Sequence, residues 1–256
     1  MSSLIVDEDR LFWARTHVGE FLATFIFTFA LFGNVLNNGT SPASAAIGPM
    51  ACGFAAYAAV FCFGGHFNPA VTGAAILTRK LAPLPGAIYL AVQLAASFAA
   101  CALATALFPG SGHADSLLLQ PHPEASLAAA FAMELVLTFI LVLVVFRAAI
   151  GIHVRPRLIS PACVETASLA SEDEACFQAR LADAQHKKHH AGLVIGLTIA
   201  FLCCLGGGVS GGAFNPLRVT APAFLARDFH NLWLYWAADL AGGAAAGTLH
   251  LYLYED

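Results

Sequence analysis

The sequence predicts an all-α membrane protein of six transmembrane helices and two re-entrant half-helices, arranged as an inverted repeat. Three observations lead there. Of 256 residues, 59% are apolar and only 11% charged, with a mean hydropathy of +0.73; a soluble domain of this length needs a far more polar surface. Apolar stretches of about 20 residues, each enough to cross roughly 30 Å of hydrocarbon, recur along the chain. Two short motifs also repeat, in the same order, in its two halves.

The spans fall at approximately 18–36, 44–62, 84–107, 126–149, 191–209 and 231–253. Two further stretches, 66–78 and 213–226, are too brief or too broken by proline to cross, and each contains Asn-Pro near its start. These are the half-length elements. Nothing resembles a linker, so residues 1–256 read as one unit with a first half at 17–108, a second at 126–253, and a connecting segment at 151–190. The opening residues "MSSLIVDEDRLFWARTH" are charged and lack an apolar core, so no cleavable signal peptide is expected.

Orientation follows from where the basic residues lie. Arg10 and Arg15 precede the first span, Arg79 and Lys80 follow the first half-helix, and Arg147, Arg155, Arg157, Arg180, Lys187 and Lys188 flank or occupy the middle segment. The opposite loops, 37–43 and 108–125, hold no Lys or Arg, and only Arg218 and Arg227 sit on that far side. The positive-inside rule therefore places both termini in the cytosol. It also puts the sequon "NGT" at 38–40 on the non-cytosolic side.

The halves repeat through two motifs. "GEFLATFIF" at 19–27 matches "MELVLTFIL" at 133–141, with Glu20 and Glu134 equally spaced from a Thr-Phe pair. "GGHFNPAVT" at 64–72 matches "GGAFNPLRVT" at 211–220, with one extra residue before the Thr. Three spans separate the halves, so they cross in opposite senses, an architecture that places sites at the midplane where discontinuous helices meet.

Pro69 and Pro216 suit the first helical position, where a missing N–H costs nothing. Asn68 and Asn215 suit the cap before it, their side-chain oxygens accepting from the first turn and their NH₂ groups left to donate. Ala70 and Leu217 follow as the next helical residues. The pairs Gly64-Gly65 and Gly211-Gly212 let extended backbone run close to other helices. Two half-helices meeting at their N-termini concentrate positive partial charge there, which repels cations. A water that accepts from both amides cannot also relay a proton, so such a centre passes neutral molecules and excludes protons.

Paired Asn-Pro boxes, the Glu…Thr-Phe repeat and Gln93 in the third span together resemble the aquaporin, or major intrinsic protein, family over residues 17–253. The resemblance implies one pore per subunit and a homotetramer. It implies that Asn68 and Asn215 are the central donors, that His66 orders the first re-entrant loop, and that Glu20 and Glu134 hold loop backbone. It makes Arg218 the arginine of the outer constriction, beside Gly212 and Cys203. The fourth constriction position is Gly48 by an ungapped count, or Cys52 if the family's glycine aligns with Gly53.

Departures from the family pattern accompany these matches. Water-selective members usually carry His at the Cys203 position and Phe in the second span, so a wider opening is expected here. The pair "YW" at 235–236 and Ala223 resemble water channels, and no Asp follows Arg218 as it does in glycerol channels. Asp239 stands where the sixth span usually has Pro, and burial there calls for a partner or a proton. Leu217 replaces the usual Ala, which calls for a displaced half-helix or a small residue opposite, such as Ala70.

The expected activity is passive passage of water, together with small neutral solutes such as glycerol, urea, ammonia or hydrogen peroxide. No cofactor, metal or nucleic-acid partner is expected; the surroundings are a lipid bilayer, of the plasma membrane or an internal one. A secondary transporter also uses inverted repeats and broken helices. An intramembrane enzyme finds no support, since the chain lacks HExxH, a paired catalytic Asp motif and a Ser-His constellation. Residues 170–187 read as an amphipathic helix, and His186, His189 and His190 as a solvated basic face rather than a metal site, since no acidic or Cys partner has ligand spacing. The length of 151–190 and its Ser, Thr and His content suggest gating. Cys52, Cys62 and Cys101 read as small hydrophobes.

Overall fold

The computed structural model describes residues 2–38, 43–108, 114–150 and 190–254. Its helices are α1 (Ser2–Asn38), α2 (Ser44–Phe63), α3 (Pro69–Leu77), α4 (Pro83–Leu107), α5 (Leu127–Val145), α6 (His190–Gly206), α7 (Pro216–Ala226) and α8 (Leu232–Tyr254). A 3₁₀ turn at Ala114–Leu117 precedes α5, and a single π turn at Phe146–Ile150 follows it. Apart from Asn38, the sequon lies outside the described residues, as does nearly all of the connecting segment with its amphipathic stretch, His186 and His189. His190 is exposed at the start of α6.

Stretches Leu11–Asn37, Ala46–Phe63, Pro83–Leu107 and Leu127–Ile150 are each long and apolar enough to cross a membrane. Among the described residues α6 contributes a shorter apolar helix, His190–Gly206. The 23-residue α8 reaches roughly 34 Å at 1.5 Å per residue, but its buried Asp239 and His250 lower its hydropathy. The helices turn one large apolar stripe outward, and on α2 the inward face is made of small residues. On α2, Phe54 and Phe61 are exposed while Ala56 and Ala59 are buried; on α6, Leu197, Phe201 and Leu205 face out while Ile195, Ile199 and Leu202 face in. A bundle surrounded by hydrocarbon has this pattern, because the close approach of helices in lipid depends on small residues.

Close approach is visible where α2 crosses α6. A Cβ on Gly53 would lie 2.6 Å from the Gly196 carbonyl oxygen, and one on Gly196 would lie 2.5 Å from that of Gly53. The same holds where α8 meets α3, since a Cβ on Gly243 would lie 2.8 Å from the Ala70 carbonyl oxygen.

Packing repeats between the halves. The first helix of each half packs on its third, α1 on α4 and α5 on α8. The half-helices cross over: α3 packs mainly on α8 of the other half, and α7 on α4. Each half therefore holds the other's half-helix.

Candidate functional site

Asn68 (φ −155°, ψ 120°) and Asn215 (φ −158°, ψ 110°) are extended residues that open α3 and α7. The Asn68 Oδ1 accepts from the Ala70 amide at 2.8 Å, and the Asn215 Oδ1 from the Leu217 amide at 3.1 Å. Pro69 and Pro216 occupy the first helical positions. This is the cap chemistry expected from the Asn-Pro pairs.

The NH₂ groups are not wholly free. Asn68 Nδ2 donates to the Phe214 carbonyl at 2.8 Å, and Asn215 Nδ2 donates to the Phe67 carbonyl at 2.9 Å. Each asparagine thus caps its own half-helix and ties down the backbone that delivers the other. An amide nitrogen has two hydrogens, so one on each side remains for a guest. Both asparagines line a narrow cavity. Its walls are otherwise mostly apolar, among them Phe27, Val71, Leu141, Val145, Ile195 and Ile199.

The two loops before the half-helices are anchored alike. Glu20 Oε2 accepts from the His66 amide at 2.8 Å and its Oε1 from the Phe67 amide at 2.7 Å. Glu134 Oε1 accepts from the Ala213 amide at 2.9 Å and its Oε2 from the Phe214 amide at 2.6 Å. Both carboxyls are buried. Phe67 (φ 36°) and Phe214 (φ 34°) are held in the left-handed region, uncommon outside glycine, and the preceding glycine pairs also have positive φ. The carboxylates thus fix a strained backbone whose carbonyls the asparagines then use. The part played by Phe67 and Phe214 was not read from the sequence, although the repeated Phe before each Asn-Pro was a signal for it.

Secondary contacts brace each loop. Gln93 on α4 donates through Nε2 to Glu20 Oε1 at 2.6 Å and Thr72 Oγ1 at 2.9 Å, and His66 Nδ1 lies 3.1 Å from the same hydroxyl. In the other half, Tyr235 donates its hydroxyl to the Ser210 carbonyl at 2.7 Å, and Trp236 Nε1 donates to Thr220 Oγ1 at 2.9 Å. The "YW" pair of α8 therefore holds both the second loop and α7. Fully buried Asp239 finds a partner in Thr138, whose hydroxyl donates to Oδ1 at 2.9 Å, and it lies beside the Glu134 carboxyl. It lies on α8 next to the anchoring glutamate, as Gln93 does on α4.

Arg218, only 7% exposed, projects from the first turn of α7. Its Nη1 donates to the Leu117 carbonyl at 2.7 Å, at the end of the 3₁₀ turn, and its guanidinium lies 5.8 Å from the Phe32 ring centroid. Cys52, Cys101 and Cys203 lie near enough to act on its charge. The structure brings Cys52 to Arg218; Gly48, one turn away, faces Asn34 instead, its added Cβ lying 3.0 Å from the Asn34 Nδ2. Gly212 (φ 68°) packs against Gly206 and donates its amide to Ser210 Oγ at 3.2 Å.

Leu217 is fully buried with its backbone carbonyl accepting from Ser97 Oγ at 3.2 Å. The crossed asparagine bonds on the two sides have nearly equal lengths, so the larger side chain does not pull the two half-helix starts apart at that junction. The small residue that meets the Leu217 backbone is Ser97 of α4.

The chain is similar to known proteins. The family model described as "Major intrinsic protein" matches residues 9–168 and 174–250. Aquaporin-B of Dictyostelium discoideum is 35% identical over 260 residues, covering 95% of this chain and 85% of that protein. An aquaporin of Encephalitozoon hellem is 33% identical, covering 92% of each. Among solved structures, the aquaglyceroporin from Plasmodium falciparum superposes with a TM-score of 0.71 at 21% identity, covering 94% of this chain and 96% of its own, which is a likeness of fold. This multi-pass membrane chain of two interlocked halves, each contributing an Asn-Pro half-helix to one centre, belongs to the major intrinsic protein family, the aquaporins.

Proposed function

We propose that the chain conducts water passively down an osmotic gradient, along with small neutral solutes of the glycerol, urea, ammonia or hydrogen peroxide class. The observation that carries this reading is the pair of asparagines whose carbonyl oxygens are spent on caps and whose nitrogens keep one hydrogen each beside the cavity. A water there can only accept from these amides, so its own hydrogens point away and the hydrogen-bonded file is broken for proton relay. Two half-helix N-termini at the same place add positive partial charge against cations. The apolar walls offer few competing partners, which keeps passage fast.

Selection against larger solutes falls to Arg218 with Cys52 and Cys203, an assignment supported by the nearness of both cysteines to its charge. Sulfur in place of a bulkier ring leaves more room than a Phe-His-Arg constriction, which favours some solute passage beside water. Both termini in the cytosol accord with the distribution of Lys and Arg, and a homotetramer accords with family membership and the exposed apolar stripes of α2 and α6.

Proteoliposomes challenged in turn with impermeant osmolyte, glycerol and urea gradients would rank the permeants. A counterflow arm separates channel from carrier: preloaded unlabelled glycerol leaves tracer entry unaccelerated through a channel, and trans-acceleration would overturn this reading.

A further inference from the structure

A strap of irregular backbone, residues 118–120, follows the Leu117 carbonyl that receives Arg218 Nη1 at 2.7 Å. The strap is held from several sides. Leu119 sits over Gly211, where a Cβ would lie 2.6 Å from its Cδ1, so only glycine leaves room for it there. Gln120 Oε1 accepts from Asn231 Nδ2, and Asn231 stands at the start of α8, its own carbonyl accepting from the Leu234 amide at 3.1 Å. Two residues further on, the His122 amide donates to the Val209 carbonyl at 2.9 Å. Between the strap and helices α7 and α8 is a cavity lined by Leu118, Gln120, Val219, Asp228, Asn231 and Tyr235. The strap therefore bridges a gap instead of resting on packed side chains, and the bond between Gln120 and Asn231 closes that bridge.

We propose that Gln120 and Asn231 are positioning residues for solute selection: their bond sets where the Leu117 carbonyl stands, and that carbonyl sets where the Arg218 guanidinium stands. The inference rests on the reading of Arg218 as the selective group. Three residue steps link Leu117 to Gln120 and span at most about 10 Å of extended chain, so a shift at Gln120 reaches Leu117 with little slack. The Leu118 amide donates back to the Asp115 carbonyl at 3.1 Å, which joins the strap to the 3₁₀ turn that ends at Leu117. Val219, beside Arg218 on α7, lines the same cavity, so the strap and the constriction share a wall.

Without the bond the strap sinks toward the cavity, the Leu117 carbonyl moves with it, and the guanidinium loses a fixed partner. Water passes in either arrangement and is little affected. Glycerol and urea have to fit past the guanidinium and gain most. One ordinary hydrogen bond shifts such a balance by about 2–10-fold, and that bounds the change expected.

The experiment compares the full chain with Gln120→Ala, Asn231→Ala, the double alanine variant, Gln120→Glu and Arg218→Ala in proteoliposomes, reading glycerol and water rates from the same preparation. Each single alanine variant is expected to raise the glycerol-to-water ratio by about 2–10-fold with the water rate kept. The double variant is expected to rise no further, because both changes remove one contact. Gln120→Glu keeps an acceptor for Asn231 and is expected to hold the wild-type ratio. A raised ratio in Arg218→Ala beside wild-type ratios in the alanine variants would overturn the proposal alone. Additive effects in the double variant would do the same, as would a Gln120→Glu ratio as high as that of Gln120→Ala. A wild-type ratio in Arg218→Ala would overturn the selective role of Arg218 and this proposal with it.

Discussion

Glu134 accepts the Phe214 amide proton at 2.6 Å, and the bond is repeated in the other half by Glu20 and Phe67 at 2.7 Å. Each carboxylate uses both oxygens on consecutive backbone N–H groups. Those amides belong to non-helical backbone at membrane depth, where an unpaired donor has no water to turn to.

Glu134→Gln removes one of these acceptors and adds a donor facing another donor. The expected cost is about 1–3 kcal/mol for the orphaned amide, read as a lower midpoint of thermal unfolding in detergent. Glu20→Gln should cost a similar amount, and it also disturbs the bond from Gln93. Equal midpoints for wild type and both variants would contradict the anchoring role.

Arg218→Ala removes the charge and its bond to Leu117. Water flow is expected to persist while glycerol and urea permeability rise relative to it, measured as the ratio of solute to water rates in the same vesicles. A ratio that stays at the wild-type value would place the selective step elsewhere.

Leu217→Ala restores the residue that the family usually carries, yet the structure predicts harm. Leu217 is fully buried, and emptying such a site costs about 2–5 kcal/mol when the surroundings do not collapse. Thermal unfolding again gives the answer, and a more stable alanine variant would show that the leucine is crowded.

Asp239 and Glu134 place two carboxyls side by side in the interior. Asp239→Asn offers Glu134 an N–H donor, as Gln93 offers one to Glu20. It keeps an acceptor for Thr138. Stability equal to or above wild type is expected, whereas Asp239→Leu takes the acceptor from the Thr138 hydroxyl and should lower it. A destabilised Asn variant would mean that the carboxyl itself is required.

Much of this was legible in the sequence because the signals are local. The expected spans at 84–107 and 231–253 became Pro83–Leu107 and Leu232–Tyr254. The half-helices start at Pro69 and Pro216 because cap chemistry needs only adjacent residues. The first span, by contrast, was read as 18–36, whereas α1 runs from Ser2 to Asn38; hydropathy marks the hydrocarbon boundary, and helical hydrogen bonding continues past it. Gly48 and Cys52 could not be told apart by counting, since they lie four residues, about one turn, apart on the same helix face. The crossed bonds from Asn68 and Asn215 were hidden because their acceptors, the Phe214 and Phe67 carbonyls, are backbone atoms whose direction depends on a left-handed φ. The partner of Asp239 was foreseen as a need and not as a residue, because Thr138 is 101 positions away.

The most direct measurement is osmotic water permeability by stopped-flow light scattering, comparing proteoliposomes holding the full chain with empty liposomes of the same lipid. Shrinkage well above the empty-liposome rate, with no accompanying proton leak in a pH-gradient arm, is the predicted result. A rate equal to that of empty liposomes, from protein shown to be folded and inserted, would contradict the channel account.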